Sequence, residues 1–367
     1  MTASPNTILP LTGLRFIAAL YVFIFHIHIR WPLTSQPQLK NILDQGAVGM
    51  SIFFMLSGFV LAYSYADARV STKTYLVNRF ARIYPVYLVA ALVTLPWIGI
   101  PISDGTGASV LKTAVQSLLL VFANIVALQA WFPSFFPMWN VGASWSISVE
   151  VFCYLTLPLV LPALVKLPKK WLLLTGVTCW LLGSLPGLIA ASFPGPLGTI
   201  YYSMPIFRLP EFVLGAIVFL YMRSENSATK IRLLVVPGSI LLFTYLAFWG
   251  AKMPFYVGHS WIALPCIALA IAGLSTSRGA ASAVLSTNVV VWLGKTSYCF
   301  YSFQALLILL LIDHHNAIVR AIPALSNNLI LLSLAFCTLV GASSLGYYGL
   351  EEPSRKWVKR KLSDAAH

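Results

Sequence analysis

Long apolar runs alternate with short polar connections along almost the whole chain. They cover residues 14–30, 47–65, 83–102, 113–132, 145–165, 171–191, 205–222, 232–250, 260–277, 288–312 and 327–349. Each is close to the ~20 residues that a helix needs to cross a bilayer core. Barrel strands would alternate apolar and polar over about ten residues, and these runs do not. A backbone in lipid must satisfy its own polar groups, which a helix does by itself. The pattern predicts an all-α integral membrane protein.

The polar connections set the orientation. Basic residues crowd one set of loops: Arg69, Lys73, Arg79 and Arg82, then Lys166, Lys169 and Lys170, then Arg223, Lys230 and Arg232, then Arg278 and Lys295, then Arg355, Lys356, Lys359, Arg360 and Lys361. The alternate loops hold Arg30, Lys40, Lys112, Lys252 and Arg320. The richer side is expected to be cytoplasmic, which puts both termini there and requires an even number of crossings. The first three runs and those from 145 onward obey the alternation. The segment at 113–132 breaks it, so it is expected to be re-entrant or in-plane on the outer side, leaving ten crossings.

Composition agrees. The chain has 367 residues, 59% hydrophobic and 9% charged, with a mean hydropathy of +0.82. Soluble domains carry about 25% charged residues, so this body cannot be faced by water alone. A net charge of +14 could serve nucleic acid, but its placement between spans makes it a topology signal instead, and no nucleic-acid partner is expected. The first run has neither a basic leader nor a small-residue cleavage site. Without internal repeat or polar linker, residues 1–367 read as one transmembrane domain with no appended soluble domain.

Five cysteines, Cys153, Cys179, Cys266, Cys299 and Cys337, lie in or near apolar runs and form no CxxC pair. They read as small packing residues. His314 and His315 read as a solvated loop end. No metal site is expected.

Ionisable residues inside spans are costly and point to function. Arg15 and His26 lie on one face of the first helix, about 20° from whole turns apart, with His26 roughly 16 Å nearer the outer side. On position alone His26 could be an interfacial histidine, and the aligned Arg15 favours a functional one. Arg79 and Arg82 share a helix face, either as ordinary anchors or as a phosphate fork. Ser144 and Ser148 stand one turn apart at the outer start of a span, and Glu150 follows inside it. A buried carboxylate there needs a partner, with His26 and Arg208 expected at similar depth. Arg208 and Glu211, at i and i+3, could pair with each other.

These residues resemble the acyltransferase 3 family of membrane O-acyltransferases. Arg15 to His26 is similar to that family's Arg-(ten residues)-His signature. Gly49 with Phe53-Phe54-Met55-Leu56-Ser57-Gly58-Phe59 resembles its FFxLSGF element, Arg79-Phe80-Ala81-Arg82-Ile83-Tyr84-Pro85 its RxxRIxP element, and Ser144-Trp145-Ser146-Ile147-Ser148-Val149-Glu150 its SWSLSVE element. Phe207-Arg208 with Glu211-Phe212 and Gly215, then Gly294 with Ser297-Tyr298 and Tyr301, then Glu351-Glu352-Pro353 follow in order. The family often has a histidine where this chain has Gln304, which cannot take up a proton at pH 7. The acid–base role therefore falls on His26 alone.

The resemblance implies transfer of an acyl group, usually acetyl, from cytoplasmic acyl-CoA to a hydroxyl of a sugar, polysaccharide, glycoconjugate or metabolite at the outer face of a bacterial inner (plasma) membrane. Under it, His26 is the expected general base and Glu150 the group that orients or charge-stabilises it. Arg15, Arg79 and Arg82 bind the donor, and Ser144, Ser148, Arg208, Glu211, Gln304 and Glu351 form an acceptor-binding or structural polar network. Direct transfer and a covalent acyl-enzyme both fit. A transporter or flippase is the rival class, since buried charges also mark transport paths, though no half-to-half similarity of the transporter kind is present. A non-catalytic membrane partner is a third.

Overall fold

The computed structural model describes residues 7–68, 70–98, 107–136, 138–139, 141–193, 197–223, 231–253 and 256–364. Arg69 and Lys230 of the basic loops, and the end of the run at 83–102, lie outside the described residues. In chain order the helices are α1 (Leu9–His28), α2 (Pro37–Asp44), α3 (Gly49–Tyr65), α4 (Thr72–Val93), α5 (Gly107–Ile125), α6 (Val141–Val165), α7 (Lys169–Ser192), α8 (Leu197–Ser203), α9 (Pro205–Met222), α10 (Val235–Trp249), α11 (Ser260–Ser275), α12 (Ala280–Leu285), α13 (Asn288–Ala321), α14 (Asn328–Gly346) and α15 (Glu352–Asp364). Among the described residues ten helical stretches are long and apolar enough to cross a membrane, and Val110–Ile125 is a shorter apolar helix. Prolines at 85, 158, 162, 186, 210 and 265 sit inside helices, which membrane bundles tolerate where neighbours re-satisfy the freed carbonyls.

The segment that broke the charge alternation folds as a hairpin. The Tyr84 hydroxyl donates to the Ile125 carbonyl at 3.0 Å and the Tyr87 hydroxyl to the Asn124 carbonyl at 2.6 Å. The C-terminal end of α5 therefore stops beside the middle of α4. Short 3-10 turns at Gln129–Trp131 and Pro133–Phe135 follow, and the Trp139 amide bonds to the Ile98 carbonyl beyond the far end of α4. The chain enters partway and returns on the same side. Buried Ala127, Gln129 and Ala130 keep this irregular backbone against protein, as non-helical backbone at membrane depth requires.

Without a hydrophobic force between helices in lipid, close packing through small residues holds a bundle together. A Cβ at Gly58 would lie 1.8 Å from the Phe212 carbonyl oxygen, and one at Gly215 would lie 1.9 Å from that of Met55. The α3–α9 contact thus needs glycine on both helices. Gly58→Leu should prevent it, and size-exclusion profiles in detergent should show loss of the folded monodisperse species. A wild-type profile and melting curve would refute the reciprocal packing. α13 lies beside α1 in a comparable way, with a Cβ at Gly294 falling 2.1 Å from the Thr12 carbonyl oxygen.

At its far end α14 passes into a π turn, Tyr347–Glu351, before α15. A π turn widens the helix by one residue and is frequent at functional sites. Here it carries Glu351 inward, where it is 2% exposed, while Lys356, Lys359 and Lys361 follow on α15.

Candidate functional site

Two polar regions stand along α1, one near each end. Towards its C-terminal end, a cavity of about 360 Å³ is lined by His26 and Arg30 of α1, by Tyr301 and Gln304 of α13, and by Trp139, Trp145, Tyr202 and Tyr256 among other apolar residues. His26 and Arg30 are one turn apart and so face the same way. Arg30 Nη1 donates to the His26 carbonyl at 2.9 Å. The His26 ring leans on Phe25, centroids 5.0 Å apart, and makes no hydrogen bond among the described residues. It is half-buried, open to the cavity.

The cavity wall is held from behind. Arg208 Nη1 lies 2.9 Å from Glu211 Oε1 and Nη2 donates to Ser51 Oγ at 3.3 Å. The same guanidinium faces the rings of Phe54, Tyr202 and Trp145, 5.3, 5.5 and 5.8 Å from their centroids. A cation on an aromatic face is worth up to about 2 kcal/mol when desolvated, so one buried ion pair fixes two cavity rings. Tyr301 is fixed too: its hydroxyl bonds Ser146 Oγ at 2.9 Å and the Ala143 carbonyl at 2.9 Å. Ser144 is held by the hairpin, Gln129 Nε2 donating to its carbonyl at 2.9 Å. Ser148 Oγ is buried without a hydrogen bond among the described residues.

Gln304, unlike Arg208, Tyr301 and Ser144, is not held by a polar partner among the described residues. It is 1% exposed, lines the cavity, and neither its Nε2 nor its Oε1 is hydrogen-bonded among the described residues. The indole N–H of Trp139 is also buried and unbonded, on a residue whose φ of 50° is unusual for a bulky side chain.

The second region lies towards the N-terminal half of α1. Arg15 has Arg82, Glu150, Tyr154 and Glu351 as its electrostatic neighbours. Glu351 in turn faces Arg82, Arg355 and Arg15, with Arg355 Nη1 at 3.9 Å from its Oε1 and Cys299 Sγ at 3.5 Å from its Oε2. Arg79 completes the group, stacked over Tyr65 at 5.9 Å, its Nε buried and unbonded. Four guanidinium groups thus surround two carboxylates, leaving an excess of positive charge at one end of the bundle.

Glu150 belongs to this second region and not to His26, which corrects the expected pairing. Its Oε2 accepts from the Tyr154 hydroxyl at 3.1 Å, and its charged neighbours are Arg15, Arg82 and Arg79. His26 has Arg30 as its charged neighbour. The reason is depth. Because α6 begins at Val141, Glu150 lies roughly 13 Å along it, whereas His26 is only about 3 Å from the end of α1 at ~1.5 Å per residue. Arg208 is likewise committed to Glu211 rather than to His26 or Glu150.

Sequence reasoning placed His26 and Gln304 but did not bring them into one cavity, and it missed Arg30, Tyr202, Tyr256 and Arg355. Two of these carried a usable signal: Arg30 is four residues after His26, and Arg355 four after Glu351. The tyrosines had none, since they come from α8 and from the turn at Tyr256–His259. No group of three His, Cys, Asp or Glu suited to a metal lies together among the described residues.

Comparison with known proteins points one way. A family profile described as an acyltransferase domain matches residues 9–347. Acyltransferase MdmB of Streptomyces mycarofaciens is 32% identical over 311 residues, covering 79% of this chain and 76% of that protein. A candidate O-acetyltransferase of Staphylococcus aureus is 24% identical over 324 residues, 79% of this chain and 49% of its own. A candidate peptidoglycan O-acetyltransferase of Bacillus subtilis, YrhL, is 23% identical over 379 residues, 96% of this chain and 56% of its own. The chain thus spans about half the length of the latter two. No solved structure matches.

Proposed function

The chain belongs to the acyltransferase 3 family of membrane acyltransferases, and from that premise we propose that it carries an acyl group, acetyl by preference, from cytoplasmic acyl-CoA to a hydroxyl of a sugar or glycoconjugate at the outer face. The observation that carries this reading is the division of α1: a cationic cluster around Arg15 at one end and a cavity holding an imidazole at the other. In this reading the basic end of the bundle faces the cytoplasm, as the positive-inside rule requires, and both termini lie there.

The phosphates of acyl-CoA carry several negative charges. Arg79, Arg82, Arg15 and Arg355 offer forked donors to them, with Glu150 and Glu351 keeping the guanidinium groups in place before the donor arrives. The thioester then extends along α1 into the cavity, and the acceptor comes from the opposite mouth, past Arg30. Aromatic walls suit the flat C–H faces of a sugar. As the hydroxyl oxygen attacks the thioester carbonyl, the His26 imidazole takes its proton, imidazole being the side chain whose ordinary pKa lies nearest neutrality. Collapse of the tetrahedral intermediate breaks the C–S bond, and the imidazolium returns the proton to the thiolate. The substrates of relatives named as O-acetyltransferases, one of them for peptidoglycan, support a glycan acceptor.

The deciding experiment uses the full chain in nanodiscs with acetyl-CoA and a panel of alkyl glycosides and peptidoglycan fragments. Thiol release that depends on acceptor, matched by an added acyl mass on that acceptor, is expected. Glycan movement across the bilayer with no thiol release would overturn it in favour of a flippase. Arg79→Ala, which removes donor contacts but breaks no ion pair, should raise the KM for acetyl-CoA by roughly tenfold to a hundredfold, the ~1.5–3 kcal/mol of a hydrogen bond to charge, and leave the acceptor KM unchanged. An equal rise in both constants would refute a donor-side role.

A further inference from the structure

We propose that Gln304 is a catalytic residue of the acyl transfer, its Nε2–H group holding the thioester carbonyl oxygen as that oxygen becomes an oxyanion. The inference rests on the acyl-transfer reading above. Its starting point is that Gln304 is 1% exposed with both amide atoms unbonded among the described residues. A buried polar group left without a partner costs about 1–3 kcal/mol, and such groups in folded proteins call for an explanation. Gln304 lines the same cavity as His26, so what enters the cavity can satisfy it.

Depth selects the ligand atom. α13 runs beside α1 in the same direction: Gly294 meets Thr12, and the Phe300 ring meets those of Phe16 and Phe23 at 5.8 and 5.5 Å. Four residues beyond Phe300, Gln304 stands roughly 6 Å further along, past the cationic cluster and on the approach to His26. A thioester arriving from that cluster reaches Gln304 before its carbonyl reaches the imidazole. The other polar group of this stretch, the Tyr301 hydroxyl, is already committed to Ser146 and Ala143. Trp139, the second unbonded donor, belongs to the segment tied to Ile98 and so stands on the acceptor's side.

The chemistry needs a donor at that point and no proton transfer. When the acceptor oxygen bonds to the carbonyl carbon, its proton goes to His26 and the carbonyl π pair moves onto oxygen. A fixed N–H on a buried side chain stabilises that charge without reorganising. When the C–S bond breaks, the carbonyl re-forms and the amide is unchanged. An amide therefore does here what an ionisable side chain is not required to do, which accounts for a residue that cannot protonate at a position facing the reacting centre.

The test compares wild type with Gln304→Leu, Gln304→Asn and Gln304→His in nanodiscs, reading thiol release from acetyl-CoA with an alkyl glycoside acceptor, and checking each variant by size-exclusion profile and melting temperature. Gln304→Leu is expected to lower kcat roughly a hundredfold to a thousandfold, the loss seen for one oxyanion donor, with both KM values within about threefold. Gln304→His, which keeps an N–H, is expected to recover most of that loss, and Gln304→Asn, which draws the donor back, is expected to recover little. Wild-type kcat in Gln304→Leu, a loss carried by either KM alone, or no recovery in a folded Gln304→His would overturn the assignment. If Gln304→Leu fails to fold, the contrast between Asn and His decides. Wild-type protein that releases no thiol would instead defeat the acyl-transfer reading itself.

Discussion

Replacing His26 by alanine should lower acyl transfer by roughly 10²- to 10⁴-fold, the contribution of a positioned general base, while leaving the folded protein in the membrane. The ring faces the cavity and makes no hydrogen bond among the described residues, so its removal strands no buried partner. Its contact with Phe25 is modest, and the neighbouring bond from Arg30 goes to the main-chain carbonyl, which alanine keeps. Thiol release from acetyl-CoA, measured beside a melting curve, separates the two effects. A folded His26→Ala protein with wild-type turnover would remove the imidazole from the mechanism. Among the described residues no carboxylate is bonded to this ring, which sets the site apart from a Ser-His-Asp triad. Its alignment comes from the α1 backbone and from packing.

The second large effect is on stability. Arg208→Met should cost about 3–5 kcal/mol, the usual penalty for breaking one side of a buried pair, because Glu211 is 0% exposed and Arg208 2%. The stranded carboxylate would sit beside Ser51 with no cation. Three rings would also lose the charge they share, two of them cavity walls, so activity should fall with stability. Removing both charges in Arg208→Met/Glu211→Leu should restore much of the melting temperature, since a buried pair replaced by apolar groups is often neutral, but not the ordering of Trp145 and Tyr202. Thermal unfolding in detergent followed by tryptophan fluorescence reads both. An Arg208→Met protein that melts like wild type would show that Glu211 has another partner.

The difference between these two predictions reflects how polar residues are used in the bundle. Arg208 and Glu211, three residues apart on one helix, form an ion pair at 2.9 Å and could be paired from sequence by i,i+3 spacing alone. His26, Gln304 and Trp139 remain unsatisfied in the direction of the cavity. Of the buried side-chain groups left unbonded among the described residues, those of Gln304 and Trp139 line the cavity, where a ligand or water can reach them.

Glu150 shows where reading along the chain misleads. It stands in a motif beside Ser144 and Ser148, and its neighbours at the mouth of α6 suggested an outer location. A carboxylate nine positions into a helix has travelled more than two turns, and it meets whatever side chains its neighbours place at that depth. Those are Arg15, Arg79 and Arg82, which begin from the other side. Its contribution is therefore to the charge balance of the cationic cluster.

The sequence by itself determined the features that depend on local composition: helices throughout, ten candidate spans with one further apolar segment at 113–132 that breaks the charge alternation, a strongly basic side, and Arg15 beneath His26 on one helix. Hydropathy, helical period and charge distribution are properties of consecutive residues, and lipid leaves the backbone no other solution. Only the tertiary structure decided which residues share a space. Tyr202, Tyr256, Trp139 and Gln304 come from four separate segments, and their convergence on His26 depends on the rotation and depth of each helix, which are fixed by glycine contacts such as Gly58 with Phe212 and Gly294 with Thr12. A shift of one residue in any of these helices turns its side chains by about 100°, a quantity that no run of apolar letters contains.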